Sequence, residues 1–274
     1  MADRARIAAL NVYPVKSCRG IGSTSLKLAR TGFLHDRHWL VVHPNGRFVT
    51  QRELPRLALV QTALLDNGVR LSAPGMSAID VVECRGSAGI EVVIWRDSCR
   101  GIDQGEAVAV WLTEFLGAAL RLVAFDETSE RASSPQWTGA THALTEFADA
   151  FALLAISESS LADLNGRLPQ TLPMDRFRPN IVLAGLDAYD EDRIHELRLD
   201  GLCLRAVKPC IRCSITTTNQ TTAEVEGDEP LRTLKAYRWS KQLLGVAFGQ
   251  NLIVVAGAGR ELRVGDEFDI RWRT

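Results

Sequence analysis

The segment Lys208-Pro209-Cys210-Ile211-Arg212-Cys213-Ser214-Ile215-Thr216-Thr217-Thr218 sets two cysteines three residues apart beside two cations. That spacing serves a zinc half-site, a redox dithiol or a soft-metal ligand. A structural zinc site needs four ligands, yet no second Cys-x-x-Cys is present, and of His35, His38, His43, His142 and His195 none is close in sequence to the cysteine pair. A thioredoxin-like dithiol opens a helix within a βαβ unit, whereas Cys213 leads into a β-branched run. The third chemistry is a single thiolate favoured by the nearby Arg212 and Lys208, with Cys213 as ligand or nucleophile. Two small buried side chains at a strand start would have the same spacing, so spacing alone leaves these alternatives open.

The elements that must hold this segment are mostly strands. In the first half, short β-type runs at 7–13, 23–28, 39–43, 48–50, 57–66 and 91–95 are separated by turn residues. Asn45-Gly46 and Asn67-Gly68 fall between such runs, where positive backbone dihedrals are expected, and predict hairpins. Apolar residues at helical spacing predict a helix over 103–116 (Val108, Trp111, Leu112, Phe115) capped by Gly117. A strand at 120–125 is followed by a polar stretch, 126–145, longer than a simple connection needs and of the kind that is functional or mobile. Ser157 opens a short helix to Asn165 that Gly166 stops, and Pro230 starts another over 230–237. Strands are expected at 180–183, 194–199, 203–207, 214–218, 251–255 and 267–272. Trp39, Trp95 and Trp111 read as core or partly buried aromatics. No internal repeat occurs. The chain is thus mainly β (α+β), with a boundary near residue 120.

Composition narrows the function classes. The 274 residues carry 32 Lys and Arg against 33 Asp and Glu, a net charge of -1, without the basic excess of nucleic-acid or anionic-membrane binders. The longest apolar runs, such as the one around 151–156, are far below the roughly 20 residues that cross a bilayer. The charged opening at 3–6 runs straight into a strand pattern, which makes a cytoplasmic location the expectation. Six cysteines (Cys18, Cys84, Cys99, Cys203, Cys210, Cys213) are too dilute for a disulfide framework and read as thiols.

Tyr13-Pro14-Val15-Lys16-Ser17-Cys18, Asp36-Arg37-His38-Trp39, Phe177-Arg178-Pro179-Asn180-Ile181, the 210–218 segment, Phe248-Gly249-Gln250-Asn251 and Val264-Gly265-Asp266 stand in the order seen in MOSC-domain proteins that carry a MOSC N-terminal β-barrel domain. The chain resembles that family, including the bacterial YcbX proteins and the mitochondrial amidoxime-reducing components, over nearly its whole length. The resemblance implies a MOSC N-terminal β-barrel domain over 1–120 and a β-barrel MOSC domain with a few inserted helices over 121–274. It implies molybdenum cofactor, with Cys213, the second cysteine of the pair, as the thiolate ligand to molybdenum and Cys210 packed nearby. A thiolate suits the soft, sulfur-rich metal of a pterin dithiolene. The resemblance further places Lys16, Ser17, Arg37, Arg178, Asn180, Arg212 and Asn251 around the cofactor, where arginines pair bidentately with its phosphate.

One departure concerns 149–152. Eukaryotic relatives carry Asp-Thr-Ser-Pro where this chain has Asp149-Ala150-Phe151-Ala152, so side-chain hydroxyl contacts do not transfer and a contact there falls to backbone groups. The position of Asn251 is a tyrosine in some of those relatives. The implied activity is two-electron reduction of an N-hydroxylated compound (an amidoxime, a hydroxylamine or an N-hydroxylated base) to the amidine or amine and water. Asp36 or a group of 126–145 is a candidate proton relay. Some bacterial relatives append a ferredoxin domain. Its cysteine pattern is absent here, so a separate electron-transfer protein or reductase is expected, with the chain itself a monomer. The alternative function is a sulfur carrier or cofactor-delivery module holding a persulfide on Cys213, and a third is a noncatalytic binding domain.

Overall fold

The computed structural model describes residues 3–86 and 89–273. Strands dominate, and the described residues include four short α-helices. Seven strands close on themselves in the order Leu153–Ser157, Ile181–Ala184, Arg4–Val12, Glu267–Trp272, Ile194–Leu199, Leu202–Ile211 and Gly245–Ala256, the last pairing again with the first. Arg4–Val12 shows why this closes. Its inward positions Ala5 and Ile7, then Leu10 and Val12, are buried while Arg4 and Arg6 face out, a period-two pattern on either side of a register shift between Ile7 and Ala9. Ala5, Ile7 and Leu10 meet Leu183, Leu197, Leu204, Leu252 and Phe268 inside the barrel, the burial of each large apolar side chain worth about 1.5–3 kcal/mol. Leu153–Ser157 and Ile181–Ala184 run parallel, joined through the helix Glu158–Arg167 as a parallel pair requires.

A second body packs beside the barrel. Trp39–Val42, Arg121–Phe125, Asp97–Asp103 and Ile90–Ile94 form a four-stranded sheet, and Gln61–Leu65, Gly68–Ser72 and Ile79–Val82 a three-stranded one. The helix Glu106–Leu116 inserts Val108, Trp111, Leu112 and Phe115 into their shared core, and Gly117 caps it in the left-handed region at φ 74°. The chain passes from the barrel strand Arg4–Val12 directly into this body, where Val15 bridges Trp39. Residues 13–18 therefore lie at the seam.

Several sequence expectations change. The run 57–66 divides into a 3-10 turn, Pro55–Leu59, and the strand Gln61–Leu65, because Pro55 fixes a helical φ at the start. Residues 48–50 form no strand, only a bridge from Phe48 to Val42. Asn45-Gly46 makes its turn with Gly46 at φ 79°. Asn67-Gly68 lies in a hairpin, but neither residue has positive φ; Gly68 is required because a Cβ there would stand 2.0 Å from the Val81 carbonyl oxygen. Asp103 ends a strand, and the helix starts at Glu106. Ser157 does cap its helix, its hydroxyl accepting from the Ser159 amide, yet Gly166 lies inside the helix, which runs to Arg167. The 214–218 run curls into the 3-10 turn Ser214–Thr217, because the hydroxyls of Thr216 and Thr217 donate back to the carbonyls of Cys213 and Ser214 at 2.9 and 2.8 Å. The strand Leu153–Ser157 was hidden in a continuously apolar run with no alternation to read. No helix of the described residues is long and apolar enough to cross a membrane.

Candidate functional site

A cavity of about 250 Å³ opens at the seam, and all eight residues named from sequence line it: Lys16, Ser17, Arg37, Arg178, Asn180, Arg212, Cys213 and Asn251. An outer cleft, walled by Arg52, Trp95, Arg96 and Asp97, meets the cavity at Asp149, Arg212 and Cys213.

Strand irregularity aims the cysteines. Leu202–Ile211 pairs with Gly245–Ala256, and its register slips between Ala206 and Lys208 and again between Pro209 and Ile211. Pro209 has no N–H to give the ladder, and such bulges bend a strand end. Cys213 then caps the 3-10 turn that follows. Its sulfur accepts a hydrogen bond from Arg52 Nη1 at 3.3 Å, whereas Arg212 Nη1 donates to Cys210 Sγ at 2.9 Å and Lys208 Nζ lies 4.9 Å over the Trp137 ring. The cation serving Cys213 is therefore Arg52, in place of the Arg212 and Lys208 expected from sequence. Burial pushes the Cys210 thiol up, with Arg212 opposing.

Trp95 also belongs here. It is 54% exposed, its ring carries the Arg52 guanidinium at 4.5 Å, and its indole N–H donates to Asp149 Oδ1 at 3.2 Å. Trp39 and Trp111 are core residues. A stretch of aromatic sequence offered no way to separate Trp95 from the other two; its contacts reach 43 and 54 positions along the chain.

The cations line up at the other end. Lys16, buried, donates to the Phe147 carbonyl at 2.7 Å and to Asp149 Oδ1 at 2.6 Å. Burial lowers the lysine's pKa and Asp149 partly restores it. Enclosure pushes the Asp149 carboxyl up, but Lys16 and Trp95 outweigh this and hold it below the usual carboxylate range. Its side chain is still 59% exposed toward the opening. Arg37 and Arg178 both lie 4.3 Å from the centre of the Tyr13 ring. Burial pushes that phenol up to about 12 against the pull of the two guanidiniums. Arg37 Nη1 pairs with Asp36 and donates to Asn180 Oδ1 at 2.9 Å. Asn180 Oδ1 also accepts from the Leu154 amide, and its Nδ2 donates to the Asn11 carbonyl. Asn180 thus orients Arg37 and ties three segments together. Asn251 Nδ2 donates to the Lys208 carbonyl at 3.2 Å. Gln51 Nε2 donates to the Ser17 carbonyl at 2.7 Å and pairs reciprocally with Gln220, locking the two bodies beside the cysteine turn. Asp36 is buried against the Tyr13 amide and Arg37 and does not line the cavity.

Among the described residues the cavity wall carries five cations (Lys16, Arg37, Arg178, Lys208, Arg212) and one carboxylate, Asp149. Two buried guanidinium nitrogens, Arg178 Nη2 and Arg212 Nε, have no hydrogen-bond partner among them. Buried donors normally find partners. Such a wall fits an anionic, acceptor-rich ligand, and Cys213 offers a soft donor at one end. A phosphorylated pterin dithiolene bearing a metal meets both conditions.

The MOSC N-terminal beta barrel domain model matches residues 4–119 and the MOSC domain model residues 143–269. Mitochondrial amidoxime-reducing component 1 of Homo sapiens is 36% identical over 251 residues, covering 85% of this chain and 72% of its own. Component 2 of Rattus norvegicus is 35% identical over 246 residues (83% and 70%), and component 1 of Mus musculus 35% over 249 (85% and 71%). With both domain models matched in order and relatives of this similarity, the chain belongs to the MOSC-domain family that includes the mitochondrial amidoxime-reducing components.

Proposed function

We propose that this protein is a molybdenum-cofactor-dependent reductase of N-hydroxylated compounds, converting amidoximes, hydroxylamines or N-hydroxylated bases to amidines or amines. The observation that carries this reading is the single cavity in which a cysteine sulfur stands at one end of a wall of cations with two unpartnered guanidinium nitrogens. The relatives' name, amidoxime-reducing component, supplies the substrate class.

When bound, the cofactor would supply the two-electron reduction of the substrate's N–O bond. The chain's residues do the rest. Arg178, Arg212 and Lys16 would hold the phosphate and ring oxygens, each charge-assisted contact contributing about 1.5–3 kcal/mol. Tyr13 and Asn180 keep Arg178 and Arg37 in place. Cys213 would complete the metal's sulfur shell, with the Arg52 guanidinium donating to that sulfur and Trp95 fixing Arg52. The outer cleft, reaching Cys213 past Trp95 and Asp97, admits the substrate. Asp149 stands where cleft and cavity meet, kept as a carboxylate by Lys16. Electrons come from a separate redox protein.

The test is molybdenum and pterin analysis of the purified protein, followed by benzamidoxime reduction with an artificial donor. Stoichiometric molybdenum and turnover support the enzyme. A Cys213 persulfide without molybdenum would replace it with the sulfur-carrier reading, and neither would leave a binding domain.

A further inference from the structure

The polar stretch 126–145 contributes one deeply buried cation, Arg131, whose side chain is 4% exposed. Its guanidinium converges on one short segment. Nη1 donates to the carbonyls of Glu146 and Ala148 at 2.8 and 2.5 Å, and Nη2 to that of Asp149 at 3.0 Å. Nε and Nη2 also reach Asp97 Oδ2, at 3.2 and 2.7 Å. Ser133 Oγ takes the next carbonyl, that of Ala150, at 2.7 Å. Residues 148–151 line the cavity, and Asp97 lines the outer cleft.

The consequence concerns the other half of each peptide. In a trans peptide the N–H of the next residue points away from each carbonyl, so the carbonyls of 148 and 149 on Arg131 and that of 150 on Ser133 turn the amides of 149, 150 and 151 to the opposite side of the chain. Among the described residues the amides of Ala148, Asp149, Ala150 and Phe151 donate to no protein acceptor. Successive unpartnered amides make a concave anion and oxygen site. A lysine could not build it, since an ammonium offers three donors from one atom where the guanidinium spreads five across a planar fork.

We propose that Arg131 is a positioning residue: by gathering the carbonyls of 148 and 149 it turns the amides of 149 and 150 to the cavity, joined by that of 151 behind the carbonyl that Ser133 holds, and these amides hold acceptor oxygens of the cofactor. This rests on the proposed cofactor reading. Arg131 also ties this wall to the outer cleft through Asp97, so the two surfaces that meet at Cys213 share one anchor.

The experiment compares the wild type with Arg131→Lys and Arg131→Ala for molybdopterin retained during dialysis, for melting temperature and for amide hydrogen exchange. Arg131→Lys is expected to lose molybdopterin at least tenfold faster at a temperature well below its unfolding. Methylguanidinium at tens of millimolar should slow the loss from Arg131→Ala, while equal sodium chloride should not, a rescue that a general loss of stability would not show. Retention by Arg131→Lys within twofold of wild type overturns the proposal, as does failure of the rescue. If the wild type binds no molybdopterin, the cofactor reading fails separately. The positioning claim is then decided by the Phe147 amide, bonded to the Arg37 carbonyl at 3.1 Å. Tenfold faster exchange in Arg131→Lys supports the positioning role, and unchanged exchange overturns it.

Discussion

Raising pH should loosen the protein at His38. This imidazole is 3% exposed; its Nδ1 lies 2.7 Å from Glu146 Oε2, and its Nε2 3.4 Å from Glu83 Oε1. Thr31 donates to the other oxygen of Glu146, Arg85 pairs with Glu83, and the His35 ring meets His38 edge-on at 5.7 Å. Burial opposes the imidazolium, but the two carboxylates prevail and raise its pKa to about 9, while His38 and Arg85 draw Glu83 down to about 2. A histidine raised from 6.5 to about 9 contributes about 3 kcal/mol that is fully present below pH 6.5 and is lost as pH climbs through 9. The Glu83 shift expresses the same pairing and is not added. In a chain of this size about 3 kcal/mol moves the melting temperature by about 6–10 °C. Calorimetric melting of the wild type and His38→Gln from pH 6 to 10 measures it: the gap between them should be widest at pH 6 and shrink by that amount by pH 9.5. A gap that stays constant across the window would refute the charged His38 pairing. The site is involved because Glu146 is followed by Phe147, the carbonyl partner of Lys16, and then by the cavity-lining residues 148–151.

Two further outcomes follow from named contacts. Arg178→Ala removes a guanidinium with an unpartnered Nη2 and is expected to weaken molybdopterin retention by about 1.5–3 kcal/mol, roughly 10–150-fold, measured by dialysis and pterin fluorescence; unchanged retention removes Arg178 from the site. Gly68→Ala forces a Cβ to 2.0 Å from the Val81 carbonyl oxygen, so the strand pair Gly68–Ser72 and Ile79–Val82 must part, with a melting temperature several degrees lower; an unaltered one would contradict the close approach.

The sequence carried what is local. Ser157 and Gly117 announce their helix ends because a cap is chemistry within one turn. The cavity residues were legible through motif order, which brought together positions that no spacing rule connects. What stayed hidden depends on distance along the chain. Arg52 meets Cys213 across 161 positions, and Trp95 meets Asp149 across 54; neither has a neighbour in sequence that marks it. Arg131 lay in a stretch marked only as long and polar, and its importance comes from carbonyls 15 to 18 residues away. The 214–218 error has a different origin. Threonine favours strands by its branching, but its hydroxyl can also bond back to the chain and tighten a turn, which prevailed beside Cys213.

X-ray absorption at the molybdenum edge of the loaded protein reaches the centre of this account. In Cys213→Ser the metal should show one sulfur neighbour fewer than in the wild type, while Cys210→Ala should leave the sulfur shell intact. An unchanged shell in Cys213→Ser, or a loss confined to Cys210→Ala, would contradict it.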